Sequence, residues 1–375
     1  PMPLIHALDD SEALRCLSDL VHLLRDAVNN GASVGFLPPL AEAEARAYWT
    51  TGPGRGELRP ERLRAPGPGE CPVATEVSGI SAGTERLVHA GLVPDALAET
   101  MRAPFQEGDF GFPVKYGYLA VGRVLAGPDP LLGRRVFALH PHQDRFVVPG
   151  SALCVVPEGV PAPRALLAGA VETALNGLWD APPLIGDRVA VVGAGLIGSA
   201  AALLLDRLPL ERLVVIEPDA ARRALLSELG LDARAEPQGD DADLVVHASA
   251  TEAGLNAGLA MLRPEGTLCE LSWYGERSPR VELGGHFHDR RLRLVGSQVG
   301  LVAPARRACR TPADRLRLAL GLLADARFDR FVERRTAFAD LPATMAALDA
   351  GADLGLCPVV VYDPPSPEEE PACSA

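Results

Sequence analysis

The chain has 375 residues, 47% apolar and 23% charged, which is enough for two or three domains with a sizeable core. A formal net charge of -13 excludes nucleic acid and acidic membranes as partners held by general electrostatics. No apolar run reaches the roughly 20 residues that span a bilayer, so no membrane attachment is expected.

The opening "PMPLIHALDD" lacks the basic and apolar stretches of a signal peptide. The seven cysteines are odd in number and never spaced C-x-x-C, so neither a disulfide framework nor a structural zinc cluster is expected. The expectation is a reduced, cytoplasmic protein. Apolar positions Leu14, Leu17, Leu20, Val21, Leu24 and Val28 follow a helical period across residues 9–29. "ASVGFLPPL" then reads as a short strand, and "AEAEARAYW" as a helix or a strand entry. From residue 44 to about 155, short β-rich runs alternate with "GPGRG", "APGPGE" and "AGPDP", the punctuation of a mostly β domain.

From about residue 160 the pattern alternates helix and strand: "RALLAGAVETALNGLWDA", "RVAVVGA", "IGSAAALLLDRL", "RLVVIE", "DAARRALLSELG", "ADLVVHAS", "GTLCELS". Such alternation predicts a parallel sheet covered by helices on both faces. Two further helices ("PADRLRLALGLLAD" and "LPATMAALDAG"), a last strand ("LCPVVVYD") and a disordered tail over 364–375 complete the expected order.

The most specific motif is "VAVVGAGLIGSAAALLL", where Gly193, Gly195 and Gly198 form G-x-G-x-x-G between an apolar strand and an apolar helix. Gly193 permits the tight turn, Gly195 lets a pyrophosphate approach, and Gly198 allows close helix–strand packing. Leu196 and Ile197 open the helix whose N-terminal amides face the phosphates. Glu217 ends the second strand 24 residues after Gly193, placed for the adenosine ribose hydroxyls. That carboxylate favours NAD over NADP, and Arg222 on the next helix softens the preference.

The β-rich first half, the "GDRVAVVGAGLIG" unit and the C-terminal return together resemble the medium-chain dehydrogenase/reductase family over roughly residues 44–363. "VSGISAGTERLVHAG" and "VKYGYLAVGRV" are most similar to its branch containing bacteriochlorophyllide 3-hydroxyethyl dehydrogenase. The resemblance implies an α/β fold: a Rossmann doubly wound parallel sheet (173–299), a GroES-like β-rich catalytic domain (44–172 and 300–363) and a short N-terminal α/β extension (1–43). It implies a cleft between the two domains as active site, a homodimer, and a small, bulky, apolar substrate. Ala248 and Ser249 in "ADLVVHASA", Ser272 in "ELSWYGER" and Gln298 in "SQVG" sit where the family binds nicotinamide. "NNGASVGFLPPLAEAEARAYW", within residues 1–48, is similar to the start of GNAT acetyltransferases, but the acetyl-CoA loop of that family is not found.

Zinc members of the family place a cysteine, a histidine and a cysteine or glutamate around the metal. The matching regions here offer Ser81, Tyr118 and Glu172, a poor set for zinc, so a zinc-independent member is expected. His286 and His288 read as exposed. Without a metal, the oxygen that gains charge in hydride transfer needs an acid, and a tyrosine hydroxyl serves. Lys115, the one lysine of the chain, flanks Tyr116 and Tyr118, and a nearby ammonium lowers a phenol's pKa. In a regular strand the lysine points away from both phenols, unless Gly117 kinks the chain. Ser81 and Thr84 match pocket positions of the family, and His140 and His142 are candidate proton shuttles. Trp273 and Tyr274 follow a sheet strand at its carboxyl end, where ligands bind.

The expected function is NAD(P)-dependent, zinc-independent interconversion of a secondary alcohol and a ketone, with a tyrosine acid. The alternatives are reduction of an activated C=C bond, or a dinucleotide-binding sensor without catalysis.

Overall fold

The structure is a computed structural model that describes residues 44–363; the N-terminal extension, with the GNAT-like stretch up to residue 43, and the C-terminal tail lie outside the described residues. Strand β1 (Glu44–Gly52) turns through Gly54, whose φ of 65° suits glycine, into β2 (Arg55–Arg62). Residues 44–49 of "AEAEARAYW" are thus strand: Ala45 and Ala47 face inward, and Arg46 lies between them outside.

The central strand of the β-rich lobe is β3 (Glu70–Gly79), and at its end the chain enters helix α1 (Ala82–His89). Strands β4 (Glu107–Gly108), β5 (Val114–Lys115), β6 (Ala120–Val124), β7 (Arg135–Ala138), β8 (Arg145–Pro149) and β9 (Cys154–Val155) follow. Two sheets result. One runs β2-β1-β5-β4; the other is built on β3, which pairs antiparallel with β6 and β8. A bridge between Ala47 and Gln143 joins them.

Helices α2 (Ala162–Ala165) and α3 (Ala168–Asp180) lead into the second lobe. It contains β10 (Arg188–Val192), α4 (Leu196–Leu205), β11 (Arg212–Ile216), α5 (Ala220–Glu228), β12 (Ala233–Arg234), β13 (Ala242–His247), α6 (Glu252–Ala260), β14 (Leu262–Glu270) and β15 (Arg293–Gly296). The strands form one parallel sheet in the order β12-β11-β10-β13-β14-β15, a doubly wound sheet whose direction reverses next to β10.

The chain ends with α7 (Pro312–Leu322), β16 (Arg335–Ala337), α8 (Leu341–Asp349) and β17 (Val359–Val361). β17 pairs antiparallel with β3, so the C-terminal strand returns to the β-rich lobe. α7 packs along α3, and Leu316, Ala319 and Leu320 join the core shared by both lobes.

α3 is apolar nearly all round because it is covered from both sides. Leu119 and Phe137 of the β-rich lobe and Val189, Val191 and Leu203 of the parallel sheet belong to one continuous core with its Val171 and Ala174. Each fully buried Val or Leu contributes roughly 1.5–3 kcal/mol, so this core holds the lobes against each other.

Candidate functional site

The glycine-rich turn lies at the carboxyl end of β10. Gly193 has φ 98°, and a Cβ there would lie 2.7 Å from the Ser249 backbone. A Cβ on Gly198 would stand 1.9 Å from the Gly193 carbonyl oxygen, so only glycine lets α4 approach the turn. Gly195 faces open space, with no atom within 4 Å of where a Cβ would stand, as a phosphate cradle at a helix N-terminus requires. Leu196 and Ile197, half-buried, form the first turn of α4. These residues fit a dinucleotide.

Glu217 is buried. One oxygen accepts the Ala194 N–H at 2.7 Å and the other the Asp219 N–H at 2.9 Å, so the carboxylate stiffens the cradle from behind. Arg222 Nη1 lies 4.0 Å from it, whereas Arg223 is turned onto the Glu217 and Pro218 carbonyls. Across the turn, Ala248 packs against Gly198 and Ser249 against Gly193. Ser272 Oγ accepts the Ala250 N–H. Gln298 is exposed and accepts the Gly300 N–H.

Two residues at this edge are not anticipated by any motif. His247 ends β13 and Glu270 ends β14; Nδ1 of the buried imidazole lies 2.7 Å from Glu270, and Nε2 lies 2.6 Å from Ser249 Oγ. Burial opposes it, but the His247 imidazole and Ser272 hold the Glu270 carboxyl below its usual range. Tyr274 donates its hydroxyl to the same carboxylate at 3.0 Å. The legible signal is a histidine at the carboxyl end of an apolar strand, "VVHAS".

On the β-rich side, Tyr118 stands beside Ser81 and Thr84. Burial and the Glu85 carboxylate raise its phenol to about 12, while the Ser81 and Thr84 hydroxyls hydrogen-bond it and favour the ionised form. Ser81 occupies the N-cap of α1 but its hydroxyl caps nothing; Glu85 reaches back to the Ser81 N–H instead, at 2.8 Å. The Tyr118 ring meets Tyr116 edge-on at 6.1 Å. Tyr116, Val88, Val93 and Val114 form an apolar cluster against which Phe110, Phe112, Tyr118 and Trp273 pack. Trp273, from the loop after β14, brings the parallel-sheet lobe to this cluster. Its indole N–H is buried without a hydrogen-bond partner among the described residues.

Four expectations fail here. Lys115 meets neither phenol. Gly117 does kink the chain, with φ 126°, yet the ammonium runs to Glu61 (2.8 Å), Glu107 (2.5 Å) and Gln143 (3.0 Å), over the Trp49 ring. β5 pairs between β1 and β4, so its side chains alternate and lysine takes the face opposite Tyr116. Consequently the Tyr118 phenol is raised rather than lowered, and Tyr116 is pushed well above its ordinary value by burial.

Glu172 does not approach Tyr118 either. It accepts from Arg315 Nε at 2.9 Å in a buried pair linking α3 to α7, and burial nonetheless raises its carboxyl. The α3 residue that faces Tyr118 is Gly169, where a Cβ would lie 3.9 Å from the ring and 2.6 Å from Leu119. His140 stacks 3.8 Å from Phe146, and burial lowers its pKa to about 3. The imidazole that does join a network is His142, whose ring fills the space left by Gly117.

Of the three residues that the resemblance sets at zinc positions, Ser81 and Tyr118 lie together and offer two hydroxyls, while Glu172 is paired with Arg315. Zinc takes thiolate, imidazole or carboxylate, so these residues do not fit the metal. Among the described residues no group of three or more His, Cys, Asp or Glu side chains is placed to hold a metal ion. His286 and His288 are exposed, His286 pairing with Asp289 at 3.1 Å. No helix among the described residues is long and apolar enough to cross a membrane.

No protein-family model matches the sequence, and no curated protein matches it. Solved structures do. L-idonate 5-dehydrogenase from Escherichia coli superposes with a TM-score of 0.69 at 15% identity, covering 85% of this chain and 99% of its own. Acetophenone reductase from Geotrichum candidum, solved in complex with NAD, gives 0.68 at 18% identity, covering 86% and 98%. An alcohol dehydrogenase from Thermus sp. ATN1 gives 0.66 at 21% identity, covering 85% and 100%. Over residues 44–363 the chain therefore has the two-lobed fold of these dehydrogenases and this reductase, a Rossmann sheet joined to a β-rich domain.

Proposed function

We propose that this chain is a zinc-independent NAD(P)-dependent oxidoreductase that interconverts a secondary alcohol and a ketone. The observation that carries the proposal is the Tyr118 phenol, set beside the Ser81 and Thr84 hydroxyls where the metal ligands of similar dehydrogenases would stand. The nicotinamide dinucleotide, held by Gly193, Gly195, Gly198, Glu217 and Ser249, supplies or accepts the hydride when bound. In the reducing direction Tyr118 donates a hydrogen bond to the substrate oxygen and then its proton. A phenol raised to about 12 is fully protonated at neutral pH and still far more acidic than the alcohol it forms, so the transfer runs downhill. Ser81 and Thr84 then hydrogen-bond the phenolate left behind, as their effect on its ionisation requires.

Phe110, Phe112, Tyr116 and Trp273 would receive an apolar, ring-bearing substrate, and the unsatisfied Trp273 N–H gives it one donor. Leaving such a donor buried and unmade costs ~1–3 kcal/mol, which a polar substrate atom would recover. Glu217 favours NADH, with Arg222 leaving NADPH admissible. β15 is an edge strand with Leu294 exposed, a surface that a second copy in a homodimer would cover.

The test is titration of chelator-treated protein with NADH and NADPH by tryptophan energy transfer, then a panel of aryl ketones headed by acetophenone, with product analysis. Saturable NADH binding and formation of a secondary alcohol are expected. A saturated product from an enone would replace the reading with C=C reduction. Failure to bind either dinucleotide would remove it.

A further inference from the structure

The segment that carries Trp273 into the apolar cluster is pinned on both sides of that residue by one carboxylate. Glu270 Oε1 accepts the Ser272 N–H at 2.7 Å, and Glu270 Oε2 accepts the Tyr274 hydroxyl at 3.0 Å. Ser272, Trp273 and Tyr274 are therefore a three-residue span whose two ends hang from the two oxygens of a single side chain. Leu271, just before the span, is fixed as well. Its N–H meets the His247 carbonyl at 2.9 Å, and its side chain lies 2.6 Å from where a Cβ on Gly177 of α3 would stand. Just after the span, Gly275 has φ 61°, and a Cβ there would lie 2.7 Å from the Leu92 carbonyl oxygen, so the chain runs directly against the β-rich lobe. The carboxylate is itself oriented. His247 donates Nδ1–H to Glu270 at 2.7 Å, which leaves Nε2 to accept the Ser249 hydroxyl at 2.6 Å.

We infer that Glu270, oriented by His247, is a positioning residue for substrate: it sets Trp273 in the wall of the substrate pocket and leaves the indole N–H to a substrate acceptor. The inference rests on the reading of the cluster around Phe110, Tyr116 and Trp273 as that wall, and deepens it by naming what holds the wall in place. Three donors converge on Glu270: His247 Nδ1–H, the Ser272 N–H and the Tyr274 hydroxyl. A carboxylate accepts all three, because both of its oxygens are acceptors only. A glutamine offers one oxygen and turns an amino group on the remaining donors, so it keeps at most one of the two pins. The Trp273 indole N–H, buried without a partner among the described residues, is the one group of the span that these bonds do not satisfy. Glu270 acts on substrate only through Trp273, and that dependence separates positioning from a general contribution to stability.

The experiment measures KM and kcat for NADH-dependent reduction of an aryl ketone, and the dissociation constant for NADH. It compares wild type, Glu270→Gln, Tyr274→Phe, Trp273→Phe, and each of the first two variants combined with Trp273→Phe. Tyr274→Phe removes one hydroxyl and keeps the ring beneath the Arg277 guanidinium, 5.9 Å away, so it should fold whatever Glu270→Gln does to His247. With Glu270 acting through Trp273, both single variants raise KM at least roughly threefold, while kcat and NADH affinity stay within about twofold of wild type. Trp273→Phe raises KM too, and adding either variant to it changes KM no further, because the span then holds no donor to place. An equal rise in KM with and without Trp273 would overturn the inference, and so would a wild-type KM in Tyr274→Phe beside an impaired Trp273→Phe; both leave the wall as read. A wild-type KM in Trp273→Phe, or a wild type that reduces no ketone, would overturn the wall and the inference together.

Discussion

Replacing Lys115 with methionine separates two accounts of the one lysine in this chain. In the structure Lys115 is 1% exposed and its ammonium neutralises Glu61 and Glu107. Methionine keeps the length of the stem and deletes the charge. Glu107, 60% exposed at its side chain, rehydrates at little cost, whereas Glu61, at 17%, keeps only the Trp49 N–H at 2.8 Å as a partner. Removing one member of a fully buried pair costs about 3–5 kcal/mol, and with one carboxylate half in water the low end applies, ~3 kcal/mol. For a lobe of this size that lowers the melting midpoint by roughly 6–12 °C. Differential scanning fluorimetry measures it, and Glu61→Gln in the same background should recover part of the loss. Turnover at a temperature where both proteins are folded should stay within about twofold of wild type. An unchanged midpoint together with a tenfold fall in kcat would refute the reasoning and return the lysine to the chemistry.

Two further outcomes follow from the same geometry. Gly198→Ala places a Cβ 1.9 Å from the Gly193 carbonyl oxygen, so the turn must open; NADH affinity in the fluorescence titration should fall at least tenfold with the far-UV spectrum kept. Burial holds His140 at about 3 against an ordinary value near 6.5, so below about pH 6.5 the unfolded chain binds a proton that the native state refuses. Stability therefore falls as pH drops through that window, and His140→Phe, which keeps the stack on Phe146, should flatten the slope between about pH 6.5 and 3 in urea titrations; an unaltered slope would place the proton uptake elsewhere.

The parallel-sheet lobe was legible because its information is local. β10, β11 and β13 are mostly apolar runs, Gly193 is demanded by the turn and Gly198 by a contact five residues away. α6 was not legible: "EAGLNAGLA" has two glycines and no polar face, and only the Thr251 cap on the Gly254 N–H marks its start. The site divides in the same way. Tyr118, Ser81 and Thr84 were reached through a motif. Glu61, which pairs with Lys115, and Glu85, which pairs with His142, lie 54 and 57 residues away in sequence, on a strand and a helix whose register no local pattern fixes. Glu172 was expected beside the phenol, but its side chain turns onto Arg315, and Gly169, less than one helical turn earlier, lies nearest the ring.

The central claim is that a phenol does the work of a metal, and Tyr118→Phe in chelator-treated protein tests it most directly. The account predicts that reduction of an aryl ketone by NADH falls at least a hundredfold in kcat while the dissociation constant for NADH is unchanged, and that added zinc restores nothing. A kcat within threefold of wild type, or activity that returns with zinc, would contradict it.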